Sequence, residues 1–243
     1  MLALVLVLAV VFTIINFVAK TALIAGVNRI EEGEEFTWRL GFRLGWSKRA
    51  LHLFLIELLF GLVKAAIFIP AFLLALSPLL LLMIDNAAVR VMAIIFAVSL
   101  FLLVSLLAFA VQVVTSPWME LIRRHCVLEE AGVLGSIKEG FYILRDNLKD
   151  TAIMWLVMTG VSFGWGLFMI PVLIVALIIA LIVGGIPAAM LYVLARTWVW
   201  PLLVGLPLGL VTLLIPLLFL SGLYLTYQST VWTLAYREMK RRS

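Results

Sequence analysis

Glu57 and Lys64 are the residues of this 243-residue chain whose types and spacing come nearest to a reactive arrangement. They stand seven positions apart in the stretch Leu51 to Ile84, where His52 is the only other titratable residue. Seven residues is two helical turns, so both side chains share one helix face with Cα atoms about 10 Å apart. An acid and a base in apolar surroundings are the raw material of a proton step, an ion path or a polar cavity. A charge at mid-membrane costs about 2.5–3.5 kcal/mol on insertion scales, so it calls for a partner or a use. Lys64 lies about 22 Å along a helix from the basic pair Lys48-Arg49, a depth hard to escape by extending the side chain. Asn16, Ser105 and Gln112 are the polar residues of other apolar stretches that can serve as partners. Two plainer readings stand beside the reactive one. The pair is a structural clasp between helices, or it lies nearer the surface because the helix starts later.

No other constellation suggests chemistry. The chain has no H-E-x-x-H, no phosphate-binding glycine loop and no G-x-S-x-G. Its single cysteine, Cys126, cannot form an internal disulfide, and with His125 it supplies only two adjacent residues, too few for a metal site. Cys126 reads as a loop or interfacial thiol. The acidic pairs Glu31-Glu32, Glu34-Glu35 and Glu129-Glu130 read as solvated charges near helix ends. The expectation is no catalytic residue, no cofactor, no metal and no enzyme activity. The remaining candidates are basic. Arg39, Arg43, Lys48, Arg49, Arg123 and Arg124 can meet anionic lipid headgroups at about 1 kcal/mol each, although orientation of the chain in the bilayer explains them equally.

The elements that position these residues follow from the composition. Sixty-five per cent of residues are hydrophobic and 13 per cent charged, against about 45–50 and about 25 per cent in soluble domains. Mean hydropathy is +1.23. The net charge of +5 is spread between apolar runs without a nucleic-acid-binding pattern, so no nucleic-acid partner is expected. Period-two alternation is absent, which argues against a membrane barrel. The fold expected is all-α, a polytopic integral membrane protein of about five transmembrane helices with amphipathic interfacial helices. The spans fall near 2–25, 51–84, 91–115, 151–183 and 202–230. Residues 51–84 would form about 51 Å of straight helix, so Pro70 or Pro78 should kink or end it, or the helix projects from the bilayer. Residues 117–150 form the longest polar stretch. Gly184-Gly185-Ile186-Pro187 is the best break in the 86 residues after it, with Tyr192, Trp198 and Trp200 as interfacial anchors. Gly160-x-x-x-Gly164 with Gly166 suits close helix packing, and Gly205-x-x-x-Gly209 around Pro207 is less convincing.

Segments 28–50, 117–150 and 237–243 hold 14 of the 18 Lys and Arg residues. The positive-inside rule therefore puts the N-terminus outside and the C-terminus in the cytoplasm. Two of these segments also match each other. Ile30-Glu31-Glu32-Gly33 followed by Thr37-Trp38-Arg39-Leu40-Gly41-Phe42 parallels Leu128-Glu129-Glu130-Ala131-Gly132 followed by Ser136-Ile137-Lys138-Glu139-Gly140-Phe141. Each copy follows one span and precedes a hairpin of two. A single membrane domain, 1–243, would then comprise a first span (1–27), repeat units 28–117 and 118–236, and a basic tail (237–243). The alternative is coincidence in a sequence of low diversity. The start lacks a basic n-region and reads as a retained span. That span looks like the second half of an earlier hairpin, as in a shortened three-unit design.

Val127-Leu128-Glu129-Glu130-Ala131-Gly132-Val133, Ile137-Lys138-Glu139-Gly140-Phe141 and Leu144-Arg145-Asp146-Asn147-Leu148 resemble a family of bacterial multi-span proteins. That family is similar to the membrane domain attached to some glycerophosphoryl diester phosphodiesterases. Trp232-Thr233-Leu234-Ala235-Tyr236-Arg237 resembles the end of such proteins. The resemblance implies a bacterial inner-membrane protein and carries over no hydrolase activity, since the phosphodiesterase domain is missing. The expected role is a structural, assembly or lipid-interacting component whose partners are membrane lipids and other membrane proteins. The other reading is a small transporter or permease-like subunit using Glu57 and Lys64.

Overall fold

The computed structural model describes residues 2–242, with side chains described at residue 7 and from residue 9 onward. Among these residues there are seven α-helices and no strand. They are α1 (Leu2–Glu31), α2 (Trp38–Gly45), α3 (Lys48–Leu76), α4 (Ala87–Leu128), α5 (Val133–Asp146), α6 (Leu148–Ala195) and α7 (Val199–Arg242). Five of them, α1, α3 with the 3₁₀ turn after it, α4, α6 and α7, are long and apolar enough to cross a membrane. The protein is therefore an all-α chain of polytopic membrane character.

Proline and glycine act differently from their expected roles at several points. Pro70 sits inside α3, and the helix ends at Leu76, where Ser77-Pro78 opens the 3₁₀ turn Ser77–Met83. Of the two prolines, Pro78 is thus the one that stops the α-helix. The polar stretch after residue 117 is no loop. α4 passes through Pro117 and continues to Leu128, so the third helix is much longer than 91–115. Gly184-Gly185-Ile186-Pro187 does not break the chain either. α6 runs on to Ala195, and the turn falls at Arg196, whose φ is 48°. In an apolar environment every unbonded backbone group is costly, which favours unbroken helix over a mid-run turn.

The chain divides into two compact units. The first comprises residues 1–151 and 232–243. Its packed core gathers at one end of its helices. Leu53 and Ile56 of α3, Leu121, Ile122 and Val127 of α4, and Trp232 and Tyr236 of α7 are all but inaccessible. Many large apolar residues of the α3–α4 hairpin beyond Lys64 are the reverse, with only small ones such as Ala75, Ala93 and Ala97 packed between the helices. Ile67, Leu73, Leu80, Phe96, Leu102 and Phe109 are all exposed. In water such a surface would be untenable, and hydrocarbon is its natural solvent.

Each short helix of this unit folds back on the long helix before it. A Cβ on Gly45 would meet the Val18 carbonyl oxygen of α1 at 2.5 Å, and one on Gly140 of α5 would meet Ile122 Cγ1 of α4 at 2.7 Å. The chain reverses after α1 at Gly33, whose φ is 77°, and after α4 at Glu130, whose φ is 54°. Residues in the left-handed region release the chain from a right-handed helix.

The second unit, residues 152–231, is the α6–α7 hairpin. Its helices meet at Gly184, Gly205 and Gly209. A Cβ on Gly184 would lie 2.5 Å from the Gly205 carbonyl oxygen. Gly160, Gly164 and Gly166 instead face open space. The glycine pattern expected to pack is free, and the less convincing one around Pro207 forms the contact.

Candidate functional site

Glu57 is held by two cations, both from other helices. Lys20 Nζ of α1 lies 3.2 Å from its Oε1, and an Arg123 guanidinium nitrogen of α4 lies 2.8 Å from the same oxygen. Lys64 donates to Gln112 Oε1 at 2.8 Å. Among the described residues, Glu57 and Lys64 form no ion pair with each other. Two turns of separation leave too wide a gap, and nearer groups on α1 and α4 fill both positions. Of the other expected partners, Gln112 is used, whereas Asn16 is exposed on α1 and joins neither contact.

The cluster continues along α4. Arg123 also pairs with Glu120 at 2.8 Å, and Glu120 accepts from Arg124 as well. Arg124 is 2% exposed, donates to the Glu120 carbonyl oxygen at 2.8 Å, and lies 5.8 Å from the centre of the Trp232 ring. Lys20, Arg123 and Arg124 against Glu57 and Glu120 leave one positive charge in excess. Interleaved charges of this kind lock helices in register, since removal of one member strands the others. Arg123 and Arg124, expected at lipid headgroups, are thus turned into the protein. Their arginine forks find carboxylates closer than the membrane surface. Arg49 is also committed, donating to the Val127 carbonyl oxygen at 3.1 Å and pairing with Glu130. Arg39, Arg43 and Lys48 are exposed, as a headgroup contact requires.

Cys126 is buried among Ile56 and Ile122, against the expectation of an interfacial thiol, because α4 carries it into the core. His125 shares a 3.0 Å hydrogen bond with the Tyr236 hydroxyl. No group of three metal-ligating side chains stands together among the described residues.

The lengths on either side of the Lys64–Gln112 contact are informative. Residues 65–76 are α-helical and 77–83 form a 3₁₀ turn, so the uncharged path beyond Lys64 is about 32 Å long. Residues 91–111 of α4 are also uncharged and about 32 Å long. At the far end the hairpin closes with an Arg90–Asp85 salt bridge of 2.8 Å between exposed side chains. Both legs match the hydrocarbon core of about 30 Å, with a polar contact at each end.

The amphipathic helix α2 was legible in the sequence as a mixed aromatic and basic segment. Its buried edge is Gly41 and Gly45, and its exposed edge carries Trp38 and Phe42 beside Arg39 and Arg43. The Glu120–Arg124 core was missed. Its signal was an i, i+4 acid–base pair just after Pro117, in a stretch taken for a connection. Comparison with protein-family models, curated proteins and solved structures gives no match for this chain.

Proposed function

We propose that this chain is a non-enzymatic scaffold of the bacterial cytoplasmic membrane. The uncharged stretches of its long helices cross the bilayer, and its charged, packed end lies at the cytoplasmic face. The observation that carries the reading is the Lys64–Gln112 contact with about 32 Å of uncharged hairpin beyond it. That length accounts for a whole crossing, so Lys64 marks the hydrocarbon boundary and Glu57 lies outside it. The ionic cluster then serves as a clamp among α1, α3 and α4. Helices α2 and α5 stand on the cytoplasmic side of that boundary, with Arg39 and Arg43 exposed on the first of them. The excess of Lys and Arg in segments 28–50, 117–150 and 237–243 supports a cytoplasmic C-terminus and an external N-terminus.

The matching folds of α2 on α1 and α5 on α4 support a duplicated unit of short helix plus hairpin.

The test is flux across proteoliposomes containing the purified protein and a pH-sensitive dye. A scaffold dissipates a proton gradient no faster than protein-free vesicles. Flux that is lost in a folded Lys64→Leu variant would overturn the proposal in favour of a transporter, as robust turnover of any substrate would in favour of an enzyme.

A further inference from the structure

The glycine edge of α2 faces inward, and its outer edge carries an aromatic stripe. Trp38 and Phe42 of α2 and Trp46 just after it follow at four-residue intervals, so they share one face. They are 74%, 63% and 65% exposed. The Phe42 and Trp46 rings stack at 6.1 Å. Trp46 also borders a groove of about 870 Å³ whose walls include exposed Val10, Ile14 and Leu51. The three aromatic side chains alone present roughly 400 Å² of apolar surface. The stripe leads into Lys48, about 24 Å along α3 from Lys64. With the hydrocarbon boundary at Lys64, lipid tails do not cover this face, and an apolar patch of that size in water marks a protein contact.

The charges at the two ends of the stripe are opposite in sign and unspent. Glu31 and Glu35, in the stretch before it, are exposed and pair with no cation among the described residues. Lys48, after it, is exposed and meets no carboxylate among them. The order is nearly symmetric about Phe42. Trp38 and Trp46 stand four residues to either side, Glu35 seven before and Lys48 six after. A surface acidic at one end, aromatic in the middle and basic at the other complements itself when turned end to end. That is the requirement of an isologous two-fold contact. An acidic partner of another kind would meet Lys48 but oppose Glu31 and Glu35, and a basic one the reverse, so a second copy is the occupant that satisfies both ends.

We infer that the aromatic face of α2 is the contact between two copies of this chain, paired about a two-fold axis at Phe42. Trp38 of one copy lies against Trp46 of the partner subunit, and Glu35 faces Lys48 of the partner subunit. Arg39 and Arg43 run beside the stripe and stay at the rim, where water and salt screen them. The stripe supplies about half of the roughly 800 Å² that a standard interface buries on each partner, and the groove walls beside Trp46 adjoin it. The inference rests on the reading that Lys64 marks the hydrocarbon boundary. The contact is read from oligomeric state and the boundary from thiol accessibility along α3, so the two can fail separately.

The experiment counts copies by single-molecule photobleaching of the labelled full chain, diluted in vesicles of phosphatidylglycerol and phosphatidylcholine. The wild-type protein is expected to show two copies per complex. Phe42→Glu, at an exposed position, should leave monomers with unchanged helical circular dichroism. Glu35→Lys should weaken pairing by about tenfold or more, and adding Lys48→Glu to it should restore the dimer. In a Cys126→Ala background, Phe42→Cys should form a disulfide-linked dimer on oxidation in intact membranes, since a residue on a two-fold axis meets its own copy. Glu139→Cys, exposed on α5, should not. One copy per wild-type complex, a dimer that survives Phe42→Glu, or no rescue by the double variant would each overturn the contact. Monomers whose Phe42→Cys thiol is shielded from a water-soluble reagent would overturn it in favour of lipid.

Discussion

At the scale of single residues, most ionisable groups that looked available for chemistry are spent on one another. Glu120 is the most committed, since it faces both Arg123 and the buried Arg124. Glu120→Ala strands a buried guanidinium and should cost about 3–5 kcal/mol, read as a lowered melting temperature in mild detergent. Glu129→Ala breaks an exposed pair with Lys240 and should cost under about 1 kcal/mol. Equal losses in the two variants would contradict a core at this end of the molecule. The sequence showed which residues were polar and apolar, and it named Gln112 as a partner for Lys64. It did not show that Glu57 would turn to Lys20 and Arg123. Those contacts join residues 37 and 66 positions apart, and nothing in local spacing specifies them.

At the scale of elements, the apolar runs made the long helices legible, and the aromatic and basic alternation marked α2. Helix ends were less legible, because glycine and proline have two uses each. Gly184 looked like a chain break and is a close contact with α7. Gly184→Leu should therefore separate the α6–α7 hairpin and cost about 1–3 kcal/mol, whereas Gly160→Leu, facing open space, should be tolerated. Thermal unfolding of the two variants in the same detergent decides this, and a larger loss at Gly160 would contradict the contact. The hairpin also carries two aromatic contacts, Trp165 with Tyr224 at 5.1 Å and Tyr192 with Trp198 at 4.4 Å. Along α6 they are about 40 Å apart, close to the thickness of a bilayer with its headgroups. Both should mark interfaces, as paired Tyr and Trp side chains commonly do. A cysteine at Thr159 should then react with a water-soluble thiol reagent and one at Ala176 should not. Protection at both positions would put the boundary nearer residue 151.

At the scale of the whole molecule, burial in the first unit is inverted relative to a bundle packed around its membrane-spanning centre. The α3–α4 hairpin beyond Lys64 presents its large side chains outward, while the buried core coincides with the charges. This arrangement suits a protein that grips the bilayer with simple helices and keeps its specific contacts at the surface. On the proposed reading Lys64 is a boundary residue, and no buried charge stands at mid-membrane with its cost of about 2.5–3.5 kcal/mol. The most direct measurement is a cysteine scan along α3 in a Cys126→Ala background, labelled in intact membranes with a water-soluble thiol reagent. A boundary at Lys64 predicts reaction at Gly61 and Lys64, protection at Phe68, Ala71, Ala75 and Leu79, and renewed reaction at Asp85. Reaction at Phe68, Ala71 and Ala75 would reveal water along one helix face deep in the bilayer, and it would contradict the boundary in favour of a conducting path.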